Sequence, residues 1–168
     1  QRIDCYRNSL KGVYMSMFIK SLPEVKNNPY LFLIDTKAPN ATPELNTCTT
    51  DDAAAAQAKG WKLKDYFNGG NFGFGKDFGG EDATLPEQYF EFSRDEAGVV
   101  SLVVEMNRSA DVPVLKGAEI TSWNGSGLML KMIEPTARIY GDVKKLTFIY
   151  SGLTMLDVSH LTNLTDLN

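Results

Sequence analysis

The sequence predicts an α+β chain in three structural parts: a repeat-type strand/helix unit at the N-terminus, a small all-β sandwich-like module in the middle, and a short leucine-marked solenoid at the C-terminus. Three observations predict it. Residues 1–67 switch between period-two and period-3.6 apolar patterns. Residues 85–140 hold short β-rich runs separated by turn signals. Apolar residues near the C-terminus echo at a spacing of 21, from Val143 to Leu164. The domain reading is a closing coil and cap over 1–67, a Gly/Phe-rich linker over 68–84, a β-rich module over 85–140 and the start of repeats over 141–168.

The N-terminus opens with Ile3-x-Cys5-x-x-Asn8-x-Leu10. Ile3 and Cys5 share one strand face, Asn8 turns the chain and Leu10 re-enters the core. This is the core of the leucine-rich-repeat consensus, in which the Asn side chain bonds the backbone of neighbouring coils. Residues 12–22 read as a helix, because Met15, Phe18, Ile19 and Leu22 recur at helical spacing between Gly12 and Pro23. Tyr30–Ile34 follows Pro29 as a buried strand. Residues 35–48, with Pro39, Asn40 and Pro43, read as loop. Thr49, Thr50, Asp51 and Asp52 then cap the alanine run Ala53–Ala56, which closes at Lys59 and Gly60. Trp61, Leu63 and Asp65 alternate with Lys62 and Lys64, so a final edge strand is expected.

Residues 68–80 break the pattern with Asn68, Gly69, Gly70, Gly73, Gly75, Gly79 and Gly80. Phe72, Phe74 and Phe78 are interleaved, which a plain flexible linker would lack. They either pin the linker onto a neighbouring domain or form a stacking surface, and as such are the candidate ligand-binding residues. No phosphate-loop lysine follows the glycines. Beyond them, strands are expected at 89–92, 99–106, 112–115, 119–123, 128–133 and 137–140. Asn124-Gly125 is the strongest hairpin signal in the chain.

At the C-terminal end, Val143-x-x-Leu146-x-Phe148 is followed by Leu153-x-x-Leu156-x-Val158, Leu161 and Leu164-x-x-Leu167. An amphipathic helix is disfavoured there by Asp157, Ser159, Asn163 and threonines at 147, 154, 162 and 165, all poor helix formers. The expected repeat core is therefore Ile3, Cys5, Asn8 and Leu10 at one end, and Val143, Leu146, Phe148, Leu153, Leu156, Val158, Leu161, Leu164 and Leu167 at the other.

Bulk properties narrow the classes. With 168 residues, 43% of them hydrophobic, the chain is long and apolar enough to build a core. A net charge of −4 argues against nucleic acid, which selects a basic face. No apolar run is long enough for a membrane helix, so no membrane insertion is expected. Gln1 opens in mid-pattern and no signal peptide precedes it, so the chain reads as processed or excised. Cys5 and Cys48 are compatible with one disulfide or with two buried thiols.

The stretch Ile139–Val143, Leu146 and Leu153-Thr154-Met155-Leu156-Asp157-Val158-Ser159 resembles bacterial internalin-like leucine-rich-repeat surface proteins. The first seventy residues resemble the closing coil and cap of that family, through Ile3–Asn8, Ser21–Pro23, Leu33–Thr36, Cys48-Thr49 and Ala56–Trp61. The middle resembles the β-rich module that precedes such repeats. The order departs from the family's, since here the cap comes first and the repeats begin at the end. A tandem protein seen in part would explain this, and so would a short protein whose two ends pair within or between molecules. The resemblance implies a secreted, cell-surface bacterial protein that acts in adhesion or protein binding. An open strand edge at Leu164–Asn168 is expected to favour homo-oligomers.

No catalytic set emerges. The single histidine, His160, sits inside the repeat pattern. The pairs Asp51-Asp52, Glu81-Asp82 and Asp95-Glu96 fall in caps or turns, where acidic residues are common. Asp77, Glu81 and Asp82 miss the spacing of a calcium loop. Met15, Met17, Met129 and Met132 read as core or helix-face residues. The expected function is a non-enzymatic scaffold for protein–protein interaction or adhesion, with no metal and no cofactor, and an unidentified protein or glycan ligand. The alternative is a carbohydrate-binding surface using Phe72, Phe74, Phe78, Trp61 or Trp123. A small hydrolase is the outsider.

Overall fold

The structure, a computed structural model, describes residues 2–66, 75–82, 85–96, 98–108, 113–149 and 151–168. The chain divides into two compact units, Gln1–Ala83 and Thr84–Asn168.

The first unit contains β1 (Arg2–Asp4), α1 (Val13–Ser21), β2 (Tyr30–Ile34), α2 (Thr50–Ala58), β3 (Lys62–Asp65) and β4 (Lys76–Asp77). The strands form one sheet in the order β1-β2-β3-β4. The first three are parallel, because a helix carries the chain back between each pair; β4 returns antiparallel. Met15, Ile19 and Leu22 of the α1 segment meet Leu31, Leu33 and Leu63 of the sheet and Ala53 and Ala56 of α2. The alanines let α2 lie close to its neighbours. Lys59 at the end of α2 donates from Nζ to the carbonyls of Ile19 and Leu22, satisfying the open end of α1. Gly60 is required where α2 stops. Its φ is +90°, and a Cβ there would lie 2.2 Å from the Val25 carbonyl oxygen.

The second unit contains β5 (Tyr89–Ser93), β6 (Val99–Met106), β7 (Val114–Lys116), β8 (Ala118–Trp123), β9 (Gly127–Met132), β10 (Thr136–Tyr140), β11 (Val143–Ile149), β12 (Met155–Asp157) and β13 (Asp166–Leu167). They make a four-stranded sheet, β12-β5-β10-β7, and a five-stranded sheet, β13-β11-β6-β9-β8. Phe90 and Phe92 of β5 face Phe148 of β11 edge-on at 6.1 and 5.5 Å, joining the two sheets. Val100, Leu102, Val104, Leu128, Leu130 and Ile139 are fully buried on alternate positions of their strands. The Asn124-Gly125 turn joins β8 to β9: Gly125 has φ +97°, and Asn124 Oδ1 accepts from Gly127 N at 2.7 Å.

The expected α+β class with a leucine-rich-repeat solenoid is overturned. Strands make up 40% of the residues and helices 12%, and the three sheets do not close as a solenoid. At the C-terminal end, the physical reason is a β-bulge. The register between β11 and β6 shifts between Val143 and Lys145, so Val143 and Leu146, three apart, both point inward and are fully buried. A spacing that imitates a repeat coil is thus one long strand, antiparallel to β6. Leu156 lies in β12, which pairs with β5 in the other sheet, and is 36% exposed. The 21-residue echo does appear once, as the parallel pair Lys145↔Asp166 and Leu146↔Leu167. Because β11 meets β6 antiparallel on its other side, that pair does not continue into stacked coils.

Candidate functional site

Pairing register aligns side chains across the first sheet. Ile3, Leu31 and Leu63 are in register and face the helices. By the period of two, Arg2, Tyr30 and Lys62 form one row on the opposite face, and Asp4, Phe32, Lys64 and Asp77 form a second. The rows carry charge and aromatic rings in alternation. The Arg2 guanidinium lies 4.2 Å from the centre of the Phe32 ring, and its Nε donates to Asp4 Oδ1 at 2.6 Å. Lys64 pairs with Asp77 at 2.7 Å and lies 5.4 Å from the Tyr30 ring. The hydrogen bond from Lys64 lowers the pKa of Asp77. Phe32 is fully covered, with Tyr66 edge-on to it at 6.3 Å. Gly75 is needed beside it, because a Cβ there would lie 2.7 Å from Phe32 Cε1.

The same face runs into the carboxyl ends of the three parallel strands, the edge at which open α/β sheets hold ligands. Tyr6 stacks on Tyr66 at 4.2 Å, and burial followed by the Tyr66 contact raises the Tyr6 pKa. Behind them the edge is filled by the protein's own groups. Asp35, fully buried, pairs with Arg7 through Nε at 2.9 Å and also through Nη2. Asp65 accepts from Thr36 N and Oγ1 at 3.0 and 2.5 Å. The Glu44 carboxylate accepts from the backbone N–H groups of Arg7, Asp35 and Asn46. Asn46, also buried, donates to the Cys5 and Leu33 carbonyls at 2.7 Å each and accepts from Leu10 N. Buried carboxylates cost heavily unless paired in this way. These groups pin the 35–48 loop across the strand ends.

The expected site residues fall into three sets. Ile3, Cys5 and Leu10 pack partly buried against the first core. Asn8 is exposed and, among the described residues, its side chain bonds the nearby Cys5 and Tyr6 carbonyls; the buried cross-strand role belongs to Asn46. Val143, Leu146 and Leu161 are buried, while Phe148, Leu153, Val158 and Leu164 are half-buried and Leu167 is 47% exposed. Phe78 packs half-buried on the first core, whereas Phe72 and Phe74 lie outside the described residues. Trp61 and Trp123 are both buried, so neither offers a stacking platform. Sequence reasoning missed Asp35, Glu44, Asn46 and Asp65. For Asp35, Glu44 and Asn46 the one available signal was polar residues inside a loop too long to leave unanchored; Asp65 ends β3, where its alternation with Lys62 and Lys64 set it in the row of Trp61 and Leu63.

Groups with reactive chemistry are engaged structurally. Both cysteines are free thiols, and burial pushes each up to about 12. They stay protonated, and hence weakly nucleophilic, at neutral pH. His160 stacks on Tyr89 at 4.2 Å, beside Arg138, which pairs with Glu91. Among the described residues no group of three His, Cys, Asp or Glu side chains is placed to hold a metal ion. Among them, too, no helix is long and apolar enough to cross a membrane. No protein-family model matches the chain, and comparison with curated proteins and with solved structures finds no match either.

Proposed function

We propose that this chain is a non-enzymatic interaction module of an extracellular or bacterial cell-surface protein, related to the internalin-like repeat proteins its sequence resembles. In this reading it binds a protein ligand through the outward face of the first sheet. The observation that carries the reading is the pair of registered rows on that face, Arg2–Tyr30–Lys62 and Asp4–Phe32–Lys64–Asp77. Such a face offers the half-buried Tyr30 ring and the Arg2 guanidinium, residue types that protein interfaces favour, with neighbouring charges of both signs that fix orientation. The buried thiols and the paired carboxylates of Asp35 and Asp65 support a role without catalysis, since each is already committed to the fold.

The test is a screen of the full chain on arrays of extracellular proteins and of glycans, repeated with Tyr30→Ala and with Lys62→Glu. Protein ligands should emerge, and each variant should weaken their binding at least about ten-fold, the effect of losing an interface anchor. Binding that ignores both variants, or glycan ligands alone, would overturn the reading.

A further inference from the structure

Main-chain N–H groups from three places in the chain converge on one carboxylate at the strand ends of the first unit. Arg7 N bonds both oxygens of Glu44 at 3.0 Å. Asp35 N bonds Oε2 at 2.6 Å, and Asn46 N bonds Oε1 at 2.9 Å. The supports of this cradle do not involve Glu44. Asp35 directly follows β2, and its side chain holds the Arg7 guanidinium. Asn46 is fixed through its own side chain to the Cys5 and Leu33 carbonyls. Arg7 also takes φ +56°, a left-handed conformation that non-glycine residues seldom adopt, and in it donates its N–H to the carboxylate.

The occupant is held differently from the cradle. Glu44 is half-buried, and it follows a stretch, residues 36–43, that is exposed apart from half-buried Ala38. Over 38–43 the main chain makes two short local bonds, from Ala38 N to the Asp35 carbonyl and from Thr42 N to the Pro39 carbonyl. Withdrawing Glu44 therefore moves an exposed strap and leaves the supports of Arg7, Asp35 and Asn46 in place. The chemistry of the cradle also selects its occupant. Converging backbone N–H groups bind anions, and these address the two oxygens of one planar group. The Arg7 guanidinium is committed to Asp35, so an anion here is met by main-chain dipoles. That favours a single charge, because a dianion such as phosphate would bring a second negative charge close to Asp35.

We propose that the N–H groups of Arg7, Asp35 and Asn46 form a carboxylate-binding site that Glu44 fills in cis, and that an acidic side chain of a protein ligand takes its place. The site stands on the geometry of the strand ends and does not depend on the outward sheet face as a ligand surface. A tethered carboxylate competes at the effective concentration its tether sets. Removing it therefore raises the affinity for carboxylates in trans, whereas removing a purely structural anchor would not.

Glu44→Ala deletes the atoms of one acetate ion, so acetate is the first probe, used on the full chain at neutral pH. The variant should unfold at a lower temperature than wild type. Sodium acetate should restore part of that loss relative to the same concentration of sodium chloride, with the amide signals of Arg7, Asp35 and Asn46 moving together. Phosphate at equal ionic strength should do neither. Binding to an immobilised oligoglutamate peptide should be at least about ten-fold tighter for Glu44→Ala than for wild type, since the competitor in cis is gone. Glu44→Gln keeps the size of the side chain and one acceptor oxygen, and serves as a second variant that preserves packing; it too should bind the peptide more tightly than wild type. An acetate response no larger than that to chloride would overturn the proposal, as would an equal response to phosphate. Oligoglutamate binding no tighter in either variant than in wild type would also overturn it, leaving Glu44 a fixed anchor of its loop.

Discussion

The two units bury different chemistry. In the first, Asp35, Asn46, Asp52 and Asp65 are all buried; in the second, the buried polar side chain among the described residues is Ser151. The difference follows from connectivity. Parallel strands need long returns, and the return over residues 35–48 crosses the strand ends without secondary structure of its own except its link to α2. Its backbone groups must be satisfied by side chains, so carboxylates and an amide go inside. In the second unit the strands pair mostly antiparallel, and their ladders satisfy the backbone directly. That interior is left to Phe90, Phe92, Leu102, Leu128, Leu130 and Ile139. One unit is held by polar pins and the other by apolar interdigitation.

Substitutions can break or sharpen this contrast, with stability read by denaturant titration and localised by hydrogen exchange of peptides from each unit. The largest loss is expected from Phe92→Ala, which removes a fully buried ring from the contact with Phe90 and Phe148 and should cost about 4 kcal/mol. Asn46→Ala should cost about 3 kcal/mol, nearly as much despite its small volume, because it removes the side-chain partners of the Leu33 carbonyl and the Leu10 N–H and one of the two donors to the Cys5 carbonyl. A loss below about 1 kcal/mol there would show that water replaces the pin and would dissolve the contrast. Thr49→Ala should cost about 1 kcal/mol by removing the capping box it forms with Asp52 at the start of α2. Lys144→Ala should cost less than about 0.5 kcal/mol, since its pair with Glu105 at 3.6 Å is exposed on both sides.

Alkaline pH should act on the first unit through its thiols. Folded Cys5 and Cys48 keep a proton up to about 12, while an unfolded thiol releases it near about 8.5. Stability is therefore untouched below that lower pH and falls as pH climbs from there towards about 12. Iodoacetamide at pH ~8.5, where half of unfolded thiols are ionised, should label the urea-unfolded chain quickly and the native chain far more slowly. Equal rates would show that the thiols are not held protonated.

Much of the local structure was legible in the sequence. The strand Tyr30–Ile34 lies where its apolar run predicts, and α1 lies inside the expected 12–22. The cap at Thr49 and the turn at Asn124-Gly125 read directly, because each depends on residues within four positions of one another. The candidate site was less legible. Asp35, Glu44 and Asn46 sit in what reads as ordinary polar loop, and only their distant partners Arg7, Cys5 and Leu10 reveal them as interior. Phe78 reads equally as pin or platform, and packing places it against the core.

By itself, then, the sequence determined where both helices, the Thr49 cap, the Asn124-Gly125 turn and the strands up to β10 other than β4 lie, since period, propensity and turn chemistry are local quantities. It also contained the 21-residue echo that sets Leu146 beside Leu167. Tertiary structure alone decided which strands became neighbours. An apolar alternation says that a strand has an inner face, but not which partner lies beside it or in which direction. β11 shows the consequence: a bulge between Val143 and Lys145 and an antiparallel partner in β6 turn a repeat-like spacing into one strand of a sandwich.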